Sequence, residues 1–165
     1  WNKPMRIKIT NAGTHGWLCN KSGRAYVKEH PVTRTKWPCI PETLKKIWKE
    51  ISKMDSLPNS CLINLYPDLK SRLGLHQDKD ENNVCHPIIS ISLGSKALFR
   101  YGENKNRLKK KVIKSGTVLM FHKQSRLFYH SVDKIIPDEK SVLNDFKELY
   151  PLNSRINITL RKVTK

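Results

Sequence analysis

Leu75-His76-Gln77-Asp78-Lys79-Asp80-Glu81 is the stretch on which the reading of this 165-residue chain turns. His76 and Asp78 stand two positions apart. In a strand, side chains at i and i+2 point to the same face. An imidazole and a carboxylate would then project side by side, a spacing that suits two ligands of one metal ion. A second imidazole lies far downstream, where Ser125-Arg126-Leu127-Phe128-Tyr129-His130 reads as another strand, ending in His130. Two histidines and one carboxylate on one face of a metal leave three coordination positions open. His-x-Asp by itself is equally the pattern of an ordinary surface or core pair, so the rest of the chain has to decide.

Working outward, Arg155-Ile156-Asn157-Ile158-Thr159-Leu160-Arg161 alternates strictly. Ile156, Ile158 and Leu160 share one face and are core. Arg155, Asn157, Thr159 and Arg161 share the other, which carries two guanidiniums and no acid. Arginine grips carboxylates in a two-pronged fork, so a dicarboxylate such as 2-oxoglutarate would fit that face. A solvated outer face of a sheet is the competing reading, and the stretch alone does not separate the two.

Four signatures occur in order: His76-Gln77-Asp78-Lys79-Asp80-Glu81, Pro87-Ile88-Ile89-Ser90-Ile91-Ser92-Leu93-Gly94, Ser125 to His130, and Arg155-x-Asn157-x-Thr159-x-Arg161. Together they resemble the AlkB family of Fe(II)/2-oxoglutarate dioxygenases, and within it the bacterial alkylation-repair branch. The resemblance runs from about Trp1 to Arg161. It implies a double-stranded β-helix, with His76, Asp78 and His130 holding Fe(II) and with 2-oxoglutarate and O2 as cosubstrates. Arg155 would clamp the far carboxylate of 2-oxoglutarate, assisted by Asn64, Tyr66 and Asn157, and Arg161 would sit nearer its metal-bound carboxylate.

The same resemblance implies oxidative demethylation of N-alkylated bases in DNA. 2-Oxoglutarate becomes succinate and CO2, and the methyl group leaves as formaldehyde. Trp17, in Thr14-His15-Gly16-Trp17-Leu18, would contact the flipped base from an N-terminal nucleotide-recognition lid, and Asp80 would lie near that base. Taken as residues alone, Trp17 reads as easily as a core tryptophan, and Asp80 as a turn residue ahead of Glu81-Asn82-Asn83. Two further readings stay open: the same chemistry on RNA or protein, and a non-catalytic basic nucleic-acid-binding domain. The intact His-x-Asp…His and arginine motifs argue against the second.

Charge supports a polyanionic partner. Thirty-two Lys and Arg against 14 Asp and Glu give a net charge of +18, far beyond what solubility needs. A lysine-rich genome would raise lysine but would not explain so few acids. Asn104 to Lys114 carries Lys105, Arg107, Lys109, Lys110, Lys111 and Lys114 with no acid. Lys109, Lys110 and Lys111 are candidate phosphate contacts. The alternative is a charged hairpin edge that resists aggregation. The partners expected are alkylated DNA or RNA, and no membrane, since no apolar run approaches the ~18 residues of a span. Four scattered cysteines without a C-x-x-C pair fit a reducing cytoplasm. A monomer is expected.

The elements expected are about eight or nine short strands and one clear helix, a mainly β jelly roll. The helix falls at residues 41–54, where Leu44, Ile47, Trp48 and Ile51 form an apolar stripe behind Pro41. The strands begin with Met5 to Thr10; 11–23 reads as a Gly-rich loop. One dioxygenase domain over 1–165 is expected, with lid and connector over 1–40, the helix as a buttress, and the jelly-roll core over 61–165. The start at Trp1 is neither a leader nor an initiator Met, so an N-terminally truncated fragment is expected.

Overall fold

The computed structural model describes residues 6–20, 23–81 and 84–163. The first residue of the expected Met5 strand and the Asn82-Asn83 half of the expected turn lie outside the described residues. The fold is mainly β, with eleven strands, one α-helix and two short 3₁₀ turns among the described residues. The strands are β1 (Lys8–Gly13), β2 (Gly16–Asn20), β3 (Gly23–Val27), β4 (Ser60–Tyr66), β5 (Leu73–His76), β6 (Ile88–Gly94), β7 (Lys96–Gly102), β8 (Lys109–Ile113), β9 (Val118–Phe121), β10 (Tyr129–Ile136) and β11 (Arg155–Arg161).

Three antiparallel sheets result. The largest runs β1-β4-β11-β6-β9, the second β5-β10-β7-β8, and β2 pairs with β3 alone. The two larger sheets enclose a core of Ile7, Tyr66, Ile88, Ala97, Phe99, Ile113, Phe121, Val132 and Ile135. Outside the five-stranded sheet lies the helix α1 (Glu42–Ser52), whose Trp48 is fully buried against Cys61, Ile89, Ile91 and Leu160, with Leu44, Ile47 and Ile51 alongside. α1 stops at Lys53, which adopts the left-handed conformation (φ 55°) and returns its N–H to the Lys49 carbonyl at 3.1 Å. This arrangement is the jelly roll with one buttressing helix.

The packing settles which way β11 faces. Ile158 and Leu160 point outward to the helix layer, so Arg155, Asn157, Thr159 and Arg161 point inward, between the sheets. The polar face is therefore interior, not a solvated outer surface. β4 and β6 copy the pattern on either side. Asn157 pairs with Asn64 and Ser92, and Arg155 with Tyr66 and Gly94.

Three local expectations are corrected. The Gly-rich stretch 11–23 is not a loop: Asn11 to Gly13 complete β1, which pairs with β4 inside the main sheet, and Gly16 onward forms the β2–β3 hairpin. Residues 8–13 thus lie in the main sheet, not in a lid. The metal strand does not reach Asp78; β5 ends at His76 and residues 77–80 are irregular loop. Ser125 to His130 is not one strand. A 3₁₀ turn covers Lys123–Ser125, closed by the Ser125 hydroxyl donating to the His122 carbonyl (3.0 Å), and β10 starts at Tyr129. His130 therefore opens its strand and does not end it.

Candidate metal centre and its cavity

His130 and His76 are direct partners across the β10–β5 pair, which puts both rings on one face with centroids 4.3 Å apart. Asp78 reaches them from the loop beyond β5. Its Oδ1 lies 3.7 Å from His76 Nε2, and its Oδ2 3.8 Å from His130 Nε2. One donor atom from each of the three residues lies within 4.8 Å of the other two. The far nitrogen of each ring is occupied: His76 Nδ1 lies 2.8 Å from the Gly74 carbonyl, and His130 Nδ1 lies 3.0 Å from the Phe128 carbonyl. A carbonyl accepts only from N–H, so both rings carry a proton on Nδ1 and turn Nε2 toward the centre. Burial lowers the pKa of His130, against the pull of Asp78, which keeps that ring neutral. Burial also opposes ionisation of Asp78, but Arg161 and the two imidazoles outweigh it and hold its carboxyl at about 2. Two imidazoles and a carboxylate converging on one point fit a divalent metal, with room left for other ligands.

A buried network fixes Asp78. Arg161 Nη2 donates to Asp78 Oδ2 at 2.7 Å, and its Nη1 donates to the Tyr26 hydroxyl at 2.9 Å. Tyr26 donates in turn to Glu81 Oε1 at 2.9 Å. Arg126 holds the other side, donating to the Asp78 backbone carbonyl (2.7 Å), to the His86 carbonyl (3.0 Å) and to Glu81 Oε2 (3.1 Å). Burial raises the Tyr26 hydroxyl far above its ordinary range, so it stays protonated. Arg161, expected near the carboxylate of 2-oxoglutarate, has its two terminal nitrogens engaged by Asp78 and Tyr26.

Arg155 differs. It is 1% exposed, its Nη2 donates to Ser92 Oγ at 2.9 Å, and its charge sits 5.8 Å from the Tyr66 ring centroid. Among the described residues its Nε and Nη1 have no partner, and burial lowers its pKa. A buried guanidinium with two unmet donors calls for an anion. Asn157 donates to Ser90 Oγ (2.7 Å) and to the Ile91 carbonyl (3.2 Å), which fixes it beside that place.

His76, Asp78, His130, Arg155, Asn157 and Arg161 line one cavity of about 270 Å³, together with Asn64, Tyr66, Trp17, Arg24 and Asp80. The hairpin β2–β3 supplies its mouth. Gly16 is what lets the hairpin lie down: a Cβ there would collide with the Trp37 indole. Next to it, Trp17 Nε1 donates to Asp80 Oδ2 at 2.9 Å, and Arg24 Nη1 lies 4.0 Å from the same oxygen. Lys109, Lys110 and Lys111 are not in this cavity; they form most of β8, the edge of the four-stranded sheet.

Sequence reasoning did not single out Tyr26, Glu81, Arg126 or Arg24. A signal existed for Glu81. Acids are scarce in this chain, 14 of 165 residues, yet three of them fall within positions 78–81. Tyr26 and Arg24 carried none, because their roles depend on a hairpin that the glycines concealed.

The model of the 2OG-Fe(II) oxygenase superfamily matches residues 1–161. The chain belongs to that superfamily. It is an Fe(II)- and 2-oxoglutarate-dependent dioxygenase, and the triad of His76, Asp78 and His130 is the metal-compatible cluster found among its described residues. A Caulobacter vibrioides protein named alpha-ketoglutarate-dependent dioxygenase AlkB homolog is 39% identical over 164 residues, 98% of this chain and 71% of that protein. An Arabidopsis thaliana protein named DNA N(6)-methyladenine demethylase ALKBH1D is 38% identical over 112 residues, 63% of this chain and 24% of that protein. The solved structure of OsALKBH1 superposes with a TM-score of 0.80 at 30% identity, covering 96% of this chain and 78% of that one. This oxygenase thus shares both sequence and jelly-roll architecture with AlkB-type proteins.

Proposed function

We propose that this oxygenase removes N-linked alkyl groups from nucleic-acid bases, DNA being the principal substrate. The observation that carries the reading is that one cavity joins the His76–Asp78–His130 cluster and the unmet Arg155 guanidinium to an aromatic–carboxylate pair, Trp17 and Asp80, at its mouth. A net charge of +18 and the names of the AlkB-type relatives support the same substrate class.

In this reading Nε2 of His76 and His130 and the Asp78 carboxylate would hold Fe(II). With 2-oxoglutarate and O2 bound, that centre would supply an oxidation that yields succinate and CO2 and turns the N-methyl group into a hydroxymethyl group that departs as formaldehyde. The protein's part is placement. Arg155 takes the far carboxylate of 2-oxoglutarate, with Tyr66, Asn64 and Asn157 shaping its berth. Arg161 aligns Asp78 through the 2.7 Å bond and is itself positioned by Tyr26. The target base leaves the stack and lies against Trp17. Asp80 has already committed Oδ2 to Trp17 and leaves Oδ1 to accept from the exocyclic amine. A methylated adenine or cytosine blocked on its pairing face is cationic, so the carboxylate favours it over the neutral base.

The test is a mass-spectrometric screen of single-stranded oligonucleotides, each with one methylated base, incubated with Fe(II), ascorbate and 2-oxoglutarate. Loss of 14 mass units on at least one N-methylated base is the expected result; retention of every methyl group while 2-oxoglutarate is consumed would point to RNA or protein as substrate.

A further inference from the structure

A row of paired residues crosses the four-stranded sheet. Lys109 on β8 pairs with Tyr101 on β7, Tyr101 with His130 on β10, and His130 with His76 on β5. Directly opposed residues project from the same face. A cation, an aromatic ring and two metal-site imidazoles therefore stand in one line. With strands roughly 4.8 Å apart, Tyr101 is one step from His130 and Lys109 two, about 10 Å along the sheet.

Tyr101 does not line the metal cavity. One face of its ring stacks on Phe99, with centroids 6.0 Å apart and planes 21° apart. It also borders a second cleft of about 870 Å³, with Phe128, Arg107, Lys109 and Asn104 around it. Phe128 ties this cleft to the metal centre, because its carbonyl accepts from His130 Nδ1. Two aromatic residues, partly buried against the core, line an open cleft beside two cations, against the single acid Glu103, which suits a planar ring that carries a phosphate.

We propose that this cleft binds the nucleotide next to the target one. Its base lies against Tyr101 and Phe128, and its phosphate meets Arg107 and Lys109. The proposal rests on the reading that this oxygenase acts on nucleic acid. It separates two tasks along one row of the sheet: the imidazoles would hold the metal that faces the flipped base, and the tyrosine and lysine hold its neighbour and fix the strand's register. It also separates the lysine run, since alternation along β8 puts Lys109 and Lys111 on the row's face and Lys110 on the other.

The experiment compares kcat/KM on a trinucleotide with 1-methyladenine at its centre against that on 1-methyl-dAMP. Tyr101→Ala should lower the trinucleotide-to-mononucleotide ratio by roughly 5- to 150-fold, the span of base–aromatic stacking. Tyr101→Phe should restore most of it. Lys109→Ala, a change on an exposed edge strand, should lower the ratio and flatten the salt dependence of the trinucleotide. An unchanged ratio, or equal losses on both substrates, overturns the proposal. If the wild type demethylates neither substrate but consumes 2-oxoglutarate, it is the dealkylation reading that fails. The cleft is then judged by fluorescence anisotropy with single-stranded decathymidylate. A loss of at least roughly fivefold in affinity for Tyr101→Ala upholds it, and unchanged affinity overturns it.

Discussion

Arg155 is a buried cation whose Nε and Nη1 wait for a partner among the described residues. Breaking a buried charge pair costs about 3–5 kcal/mol. Arg155→Ala is therefore expected to raise the KM for 2-oxoglutarate by two to four orders of magnitude on the order of that energy, and Arg155→Lys to recover only part, because lysine lacks the fork. Steady-state kinetics on 2-oxoglutarate consumption checks both, and an unchanged KM would place the cosubstrate elsewhere. Asp80 offers a finer test. Asp80→Asn keeps an acceptor for the Trp17 indole but loses the charge. Melting temperature and uncoupled 2-oxoglutarate turnover are expected to hold, while activity falls more on cationic lesions than on a neutral etheno adduct. Equal loss on both would assign Asp80 to the loop's structure alone. Both residues were legible in the sequence because each belongs to a short periodic motif. Arg126 and Glu81 were not, since a salt bridge between residues 45 positions apart leaves no local pattern.

At the scale of elements, the β2–β3 hairpin reaches the metal centre through Tyr26, which bonds to Glu81 and to Arg161, the partner of Asp78. Hydrogen bonds to charged groups contribute about 1.5–3 kcal/mol. Tyr26→Phe is expected to destabilise the chain by an amount in that range, and to speed amide hydrogen exchange in residues 16–27 before it does so in β4 or β11. Uniform loss of protection over all sheets would mean that the hairpin is not a separately loosened unit. The helix was readable from its apolar stripe, and β11 from its alternation. The hairpin was hidden because Gly16 and Gly23 open strands of five residues each, too short for alternation to outweigh the turn signals. The metal strand was read two residues too long. The two ligands still converge because Arg126 pins the Asp78 carbonyl after the ladder has ended.

For the whole molecule, the polar lining between two sheets explains the charge distribution. Inside, Arg126 and Arg161 pair with Glu81 and Asp78 while Arg155 is left for an anion; on the β8 edge the lysines are exposed. Binding to undamaged single-stranded DNA should weaken with salt at a slope of about −0.7 per phosphate neutralised. Replacing Lys109, Lys110 and Lys111 together by alanine should flatten that slope in a titration, whereas an unmoved slope would make β8 an edge guarded by charge. The jelly roll itself was legible from strand count and turn spacing. The inward orientation of β11 was not, because alternation marks two faces without saying which one meets the helix. The central claim is that His76, Asp78 and His130 drive base dealkylation from one cavity. It is tested most directly by measuring formaldehyde and succinate together from an oligonucleotide with one 1-methyladenine, for the wild type and for Asp78→Ala. The expected result is one formaldehyde per base repaired in the wild type, with matching or greater succinate, and neither product from a folded Asp78→Ala. Near wild-type formaldehyde release by Asp78→Ala would contradict it.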